Sequence, residues 1–248
     1  MNSDTKLNSA ARAESFLPGP LLLLGAPGVG KGTQAKILMD EFGIPQISTG
    51  DLLRDHRARH TELGLLAEDL MRRGELVPDD LVNRMVADRL AAPDCAAGFI
   101  LDGYPRTLVQ AEWIDKALAG DELKAAAKLP LVAVSILVDH DALLKRITGR
   151  RISAAGRIYN IYTNPPQTAG IDDQDGSPLT QRSDDTEAAF EQRMREFHAK
   201  TAAVIEHYRA QGRFLEVDGS APVDQVTASI REAIFTLRGQ SVAYAGSV

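Results

Sequence analysis

A run of four leucines, Leu21 to Leu24, runs straight into the glycine-rich stretch GAPGVGKGT at 25–33. That junction limits the possible folds more than any other feature. Four consecutive apolar residues bounded by glycine suit a strand buried on both faces, as in a parallel sheet covered by helices. The glycines that follow let backbone N–H groups close on an anion where a Cβ would clash. Lys31 sits where its side chain can reach past the turn toward outer phosphates. The P-loop pattern G-x-x-x-x-G-K-[ST] is met at Gly25, Gly30 and Lys31, but Gly32 takes the hydroxyl position and Thr33 follows one place late. The stretch therefore points to a nucleoside polyphosphate, and Mg²⁺ need not have a direct Ser/Thr ligand from the loop. A glycine turn in a purely structural connection would not account for a lysine at this place.

The chain has 248 residues, enough for one sizeable α/β domain with an insertion or for two small domains. Its 28 basic and 34 acidic side chains leave a net charge of −6, which argues against a general nucleic-acid binder or a binder of anionic membranes. Cys95 is the single cysteine, so neither an intrachain disulfide nor a cysteine zinc site can form. The five histidines show no metal-ligand spacing. No apolar run is long enough to span a membrane. The polar first segment lacks the apolar centre of a secretory signal. It carries Arg12 beside Asp4 and Glu14, a weak match to a transit peptide, so the expected compartment is the cytoplasm. Residues 1–19 and 239–248 are expected to be tails.

Apolar runs alternate with helical patterns along the rest of the chain, which predicts a parallel sheet with helices on both faces. Strands are expected at 21–24, 45–48, 99–102, 132–138 and 214–217. Helices are expected at 34–42, 51–59, 63–73, 79–90, 108–118 and 142–148, with a long one over 186–211 and a last one over 224–237. The stretch from Arg151 to Asp185, rich in glycine and proline, is too long for a plain connection and reads as a small insertion with short β pieces near 157–162. Arg146, Arg150 and Arg151 stand at its start, and Arg182 and Arg193 at its end. Arginines at both hinges suggest a flap that closes over phosphates.

Two further motifs join this pattern. Thr49-Gly50-Asp51 with Arg54 begins a helix and offers backbone donors and a planar fork for an anion. GFILDGYPRT at 98–107 carries Asp102 to the tip of a buried strand, where a carboxylate can hold the hydration shell of Mg²⁺, with Arg106 just beyond. Taken singly, Asp102 could be a helix cap and Arg106 a surface ion pair. Beside a P-loop, both read as parts of one site.

In this order GAPGVGKGTQA, ISTGDLLR, GFILDGYPRT, ITGRR and QRSDD with FEQRMREFH resemble the motifs of the adenylate kinases, and more narrowly the bacterial long-lid form. The resemblance covers roughly residues 21–237. It implies the P-loop nucleoside monophosphate kinase fold, an α/β fold with a central five-stranded parallel sheet flanked by helices and a small LID insertion. The implied CORE is 20–47, 78–148 and 186–238, with an AMP-binding helical region at 48–77 and the LID at 149–185. The implied reaction is reversible transfer of the terminal phosphoryl group of ATP to AMP, giving two ADP, with Mg²⁺ accompanying ATP.

The resemblance also assigns residues. Gly28, Val29, Gly30, Lys31, Gly32 and Thr33 would cradle the ATP phosphates, with Arg146 and Arg150 beside them. Ile158, Tyr159 and Ala221 would pack around the ATP base. Thr49, Arg54, Glu75, Leu76, Val77, Gly103, Tyr104, Pro105, Arg106 and Gln110 would hold AMP, with Gln110 reading the adenine edge. Arg182 and Arg193 would serve the AMP side, and Lys31, Asp102, Arg106, Arg146, Arg150, Arg182 and Arg193 would carry catalysis. No direct protein ligand to Mg²⁺ is implied; Asp102 would act through water.

The insertion lacks the cysteines of zinc-bearing lids and resembles the zinc-free ones, for which Ser153, Asp172 and Asp175 are candidate members of a polar network. ATP, AMP and ADP are the expected partners, with no nucleic acid and no membrane, and the chain is expected to be a monomer. Within the enzyme class, a GTP-dependent AMP kinase or another nucleoside monophosphate kinase shares many of these motifs. Outside it stands a nucleotide sensor that closes its lid without turnover.

Overall fold

The structure, a computed structural model, describes residues 19–120, 123 and 129–245. Its centre is a parallel sheet built from β1 (Gly19–Leu24), β2 (Gln46–Ser48), β3 (Gly98–Asp102), β4 (Val132–Leu137) and β7 (Phe214–Asp218), in the order β2-β3-β1-β4-β7. The strand expected from Leu21 begins earlier, at Gly19, so only 1–18 of the expected amino-terminal tail remains, outside the described residues. β1 lies in the middle, paired Leu22↔Leu101 on one side and Leu22↔Ala133 on the other. From β1 the chain crosses to the edge strand β2, returns to β3 beside β1, and then passes to β4 and β7 on the other side. A doubly wound sheet opens its binding crevice at such a switch point, beyond the carboxyl ends of the strands.

The leucine run supplies two cores at once because successive side chains of a strand point to opposite faces. Leu22 and Leu24 pack with Phe99, Leu101, Tyr104 and Tyr208 on one face. Leu21 and Leu23 pack with Ile100, Val134, Leu38 and Ile230 on the other. The first face is covered by α4 (Asp79–Leu90), α5 (Leu108–Ala119) and α8 (Ala202–Ala210); the second by α1 (Lys31–Phe42), α6 (His140–Thr148) and α9 (Val223–Ala245). β1 is thus clamped from both sides just before it delivers the glycine loop.

Two helices, α2 (Thr49–Ala58) and α3 (Glu62–Arg73), project beside the carboxyl end of β2. Ser48 and Thr61 cap them, each side chain accepting a backbone N–H three residues on. Gly64 lets the two helices touch, since a Cβ there would lie 2.3 Å from the carbonyl of His56.

Two helical expectations differ from what forms. The helix expected to end at Leu237 continues to Ala245, so most of the expected carboxyl-terminal tail is helical. Gln240, Ala243 and Ala245 favour helix, and the single Gly239 costs only about 1 kcal/mol against alanine. The long helix expected over 186–211 forms as α7 (Glu187–Glu196) and α8, joined by a wider π turn at Phe197–Thr201.

The insertion forms its own small sheet. β5 (Arg150–Ile152) pairs antiparallel with β6 (Ile158–Asn160), and Thr180 adds a bridge to Ile152. Its interior is polar. Arg157 Nε donates to Asp172 Oδ2 at 2.7 Å, and Arg157 also bonds Asp175. The Arg157 backbone N–H donates to Ser153 Oγ at 3.2 Å, and the Tyr159 phenol donates to Asp172 Oδ1 at 3.3 Å. All three candidate network residues are present, and Arg157 and Tyr159 join them. The bond from Arg157 is the chief influence holding the Asp172 carboxyl below the usual range.

Truncating Leu22, which is fully buried, to alanine should destabilise the chain by about 2–5 kcal/mol. Urea unfolding should show a lower midpoint at an unchanged m-value. Replacing Arg157 with methionine should speed hydrogen exchange across β5 and β6 while leaving β1 and β4 protected; equal exchange in the two proteins would show that the ion pairs do not hold the insertion together.

Candidate active site

The glycine loop between β1 and α1 fits only glycine at its tightest points. Gly25 has φ +135°, and a Cβ there would lie 2.5 Å from the Ile136 carbonyl. Gly30 ends the loop in the left-handed region with no side-chain cap on α1. The first N–H groups of α1 are therefore available to an anion. Lys31 Nζ folds back over the loop and donates to the Gly25 and Ala26 carbonyls at 2.7 and 3.1 Å. Burial is the main influence lowering its pKa to about 8, helped by the charges of Arg106, Arg193 and Arg150 and opposed by Asp102.

Asp102 ends β3 opposite Leu23 of β1. One carboxylate oxygen accepts from Gln46 Nε2 at 2.9 Å and lies 3.5 Å from where a Cβ on Gly32 would stand. The carboxylate thus faces the loop, as expected. After it the chain turns through Gly103 and a cis Tyr104–Pro105 bond. Thr49 Oγ1 and Arg106 Nε both donate to the Gly103 carbonyl, at 2.9 and 2.8 Å.

The arginines converge. Arg106 has its pKa pushed down to about 10, first by burial and then by Arg193 and Arg54 nearby. Arg182 is pushed down to about 10 by burial, Arg54 and Arg150. Both remain charged at neutral pH. Carboxylates hold the others in place: Arg150 Nε donates to the buried Asp185 at 2.9 Å, Arg54 Nε to Asp51 at 3.2 Å, and Arg193 pairs with Asp184. Burial alone would raise the Asp184 carboxyl, but the charge and bond of Arg193 hold it low. Arg146 leans against the loop, donating to the Val29 and Gly219 carbonyls at 3.4 and 3.3 Å.

These side chains line a cleft of about 1000 Å³ between the glycine loop, β5 and β6 of the insertion, and the start of α9. Its wall includes Gly28 to Thr33, Asp102, Arg150, Arg182, Ile158 and Ala221. A smaller recess opens beside it, lined by Thr49, Leu53, Leu76, Val77, Gln110 and Arg106 among others. Arg54, Arg106 and Arg193 border both. The insertion touches both sides of the opening: Lys36 Nζ on α1 donates to the Gly156 carbonyl at 2.9 Å, and Arg182 lies 3.6 Å from Asp51.

Most residues expected at the site line one of these two spaces. Three side chains are turned elsewhere. The ring of Tyr104 is fully buried, its phenol donating to Asn83 Oδ1 at 2.6 Å, so it braces the loop from the core. The phenol of Tyr159 is bound within the insertion, accepting from the Asp173 N–H at 3.0 Å. The carboxylate of Glu75 pairs with Arg73, so Glu75 borders the recess without that charge free.

Other participants escaped sequence reading. Thr201, in the π turn, donates to the Arg106 carbonyl at 3.1 Å. Gln46 orients Asp102, and Lys36 meets the insertion. Their only sequence signal was position next to a motif.

A glycine loop at a helix start, a facing carboxylate, two adjoining spaces and a crown of arginines on a β2-β3-β1-β4-β7 sheet define the P-loop nucleoside monophosphate kinases. The family model described as adenylate kinase matches residues 23–213. The chain is 46% identical to the adenylate kinase of Symbiobacterium thermophilum over 215 residues, 86% of this chain and 97% of that one. It is 45% identical over 211 residues to that of Fusobacterium nucleatum, covering 85% and 95%. It is 46% identical over 217 residues to that of Thermosipho melanesiensis, covering 86% and 98%. The chain belongs to the adenylate kinase family.

A lysine that titrates near 8 should take up a proton when phosphate oxygens restore its charge. Calorimetry of ATP binding in buffers of different ionisation enthalpy should show little uptake at about pH 7 and growing uptake above about pH 8. Lys31→Arg, charged throughout, should abolish that rise.

Proposed function

We propose that this chain transfers the terminal phosphoryl group of ATP to AMP, giving two ADP, and does so in reverse, as an ATP:AMP phosphotransferase of adenine nucleotide homeostasis. ATP lies in the larger cleft and AMP in the recess, with the phosphates of both meeting at the arginines the two spaces share. Those shared arginines, Arg54, Arg106 and Arg193, are the observation that carries the reading. Like charges this close favour a densely anionic ligand between them. The adenylate kinase relatives, similar over most of their length, support the same substrates.

Phosphoryl transfer asks for alignment and charge neutralisation more than for covalent chemistry. The N–H groups from Gly28 to Thr33 hold the ATP phosphates, and Lys31 moves from its carbonyl partners onto the group in flight. Arg146 and Arg150 hold the donor phosphates. Arg106, Arg182 and Arg193 hold the acceptor phosphate in line, with Arg54 at its flank. Guanidinium groups suit this task because they stay charged and grip phosphate oxygens two at a time. The insertion acts as a lid that excludes water, without which ATP would be hydrolysed.

Mg²⁺ accompanies ATP and supplies further neutralisation of the phosphate oxygens. Asp102, which faces the loop beside Gly32, fits it as an oxygen donor through water. The lid does not suit Zn²⁺. It has no cysteine, and Arg157 already bonds both Asp172 and Asp175. Among the described residues no helix is long and apolar enough to cross a membrane. We place the enzyme in the cytoplasm as a monomer that binds neither nucleic acid nor membrane.

Incubation with ADP and Mg²⁺ alone should yield ATP and AMP; binding without conversion would identify a sensor instead. UMP, CMP and GTP in the same assay would separate the other kinases. Lys31→Met should lower kcat by about 10²–10³ or more with the fold intact. Arg106→Ala should raise KM for AMP more than KM for ATP, and an equal rise would place Arg106 elsewhere.

A further inference from the structure

The inner wall of the recess carries a bonding pattern that phosphoryl transfer itself does not require. Gln110, near the start of α5, is 3% exposed, yet it borders the recess. Both ends of its amide are engaged from within the protein. Nε2 donates to Asp79 Oδ1 at 2.7 Å, and Oε1 accepts the Arg106 backbone N–H at 2.7 Å. Asp79 opens α4, and its other oxygen accepts from the Thr107 hydroxyl at 3.0 Å. Thr107 in turn caps α5 by accepting the Gln110 N–H at 3.2 Å.

This arrangement removes a freedom that glutamine normally has. A carboxylate accepts, and a backbone N–H donates. Turning the amide over would set Oε1 against the carboxylate and the Nε2 protons against the Arg106 N–H, leaving two repulsive contacts in a buried place. The amide is therefore held with nitrogen toward Asp79 and oxygen toward Arg106. An amide nitrogen has two protons and its oxygen two lone pairs, so one bonding position remains at each end.

We infer that Asp79 is a positioning residue for base selection: it locks the Gln110 amide so that the recess accepts a 6-aminopurine monophosphate and rejects a 6-oxopurine one. Adenine presents an N6 donor beside an N1 acceptor. Hypoxanthine and guanine present an O6 acceptor beside an N1 donor, the reverse order. A free amide serves either pattern by turning over; a locked one serves one pattern unless the ligand shifts. Asp79 acts only through Gln110. The inference rests on the placement of AMP in the recess.

The test compares kcat/KM for AMP and IMP in the intact chain and in Asp79→Asn, whose side-chain amide can accept from or donate to Gln110, so that one of the two contacts that fix the orientation is lost and the Arg106 N–H alone opposes turning over. The AMP-to-IMP ratio should fall at least about tenfold in the variant. The change should lie mainly in KM for the monophosphate, with KM for ATP unmoved. A merely structural role would lower melting temperature and both activities together and keep the ratio, which would overturn the inference.

Gln110→Ala separates the two ideas. If it lowers the ratio while Asp79→Asn does not, the lock is wrong and the placement of AMP stands; if it leaves the ratio unchanged, the placement fails. Should Asp79→Asn not fold, side-chain NMR of the unaltered chain decides. One Gln110 Nε2 proton should be protected from solvent exchange and coupled across to Asp79, and free exchange of both protons would overturn the lock.

Discussion

The molecule is organised around a repulsion. Arg54, Arg106, Arg150, Arg182 and Arg193 approach one cleft closely enough that the pKa of Arg106 is pushed down by burial and then by Arg193 and Arg54, and that of Arg182 by burial and then by Arg54 and Arg150. A folded chain tolerates this only if something holds the guanidinium groups in place. Asp51, Asp184 and Asp185 do so, each pairing with an arginine, and Asp51 and Asp184 themselves line the cleft. The carboxylates neutralise part of the charge and fix direction. The positive field that remains faces the opening, where it attracts polyanions.

That arrangement needs a rigid base and movable flanks. The base is β1, gripped on one side by Phe99, Leu101 and Tyr104 and on the other by Ile100, Val134 and Leu38. Because the glycine loop springs from the strand with the most complete burial, its position is tied to the stability of the whole sheet. The flanks are α2 with α3 and the polar-cored insertion, which meet the base through a few long side chains such as Lys36 and Arg182. Contacts of this kind break at little cost, whereas those of the leucine strand do not.

Much of this was legible in the sequence. The five strands of the main sheet, the glycine loop and the facing Asp102 follow from residue type and period, because burial on two faces and close backbone approach leave few alternatives. Arg157 was missed as the centre of the insertion because its partners, Asp172 and Asp175, lie well along the chain and no local pattern joins them. The burial of the Tyr104 ring was missed because a tyrosine next to a functional loop looks the same whether it faces in or out. The amide of Gln110 could be guessed as a base reader, but not its bonds to Asp79 and Arg106, which depend on how α4 and α5 meet. The extension of α9 beyond Leu237 was missed because residues 239–248, small and polar, were read as a tail.

The π turn at Phe197–Thr201 has an effect on evolution as well as on geometry. It widens the spiral enough for Thr201 to meet the Arg106 carbonyl, while Val204 and Tyr208 still enter the core a turn later. Removing a single residue there would swing everything downstream by about 100° around the axis. Val204 and Tyr208 would then leave the interior together. The segment can therefore accept changes of side chain far more readily than changes of length, and gaps among related sequences should avoid it.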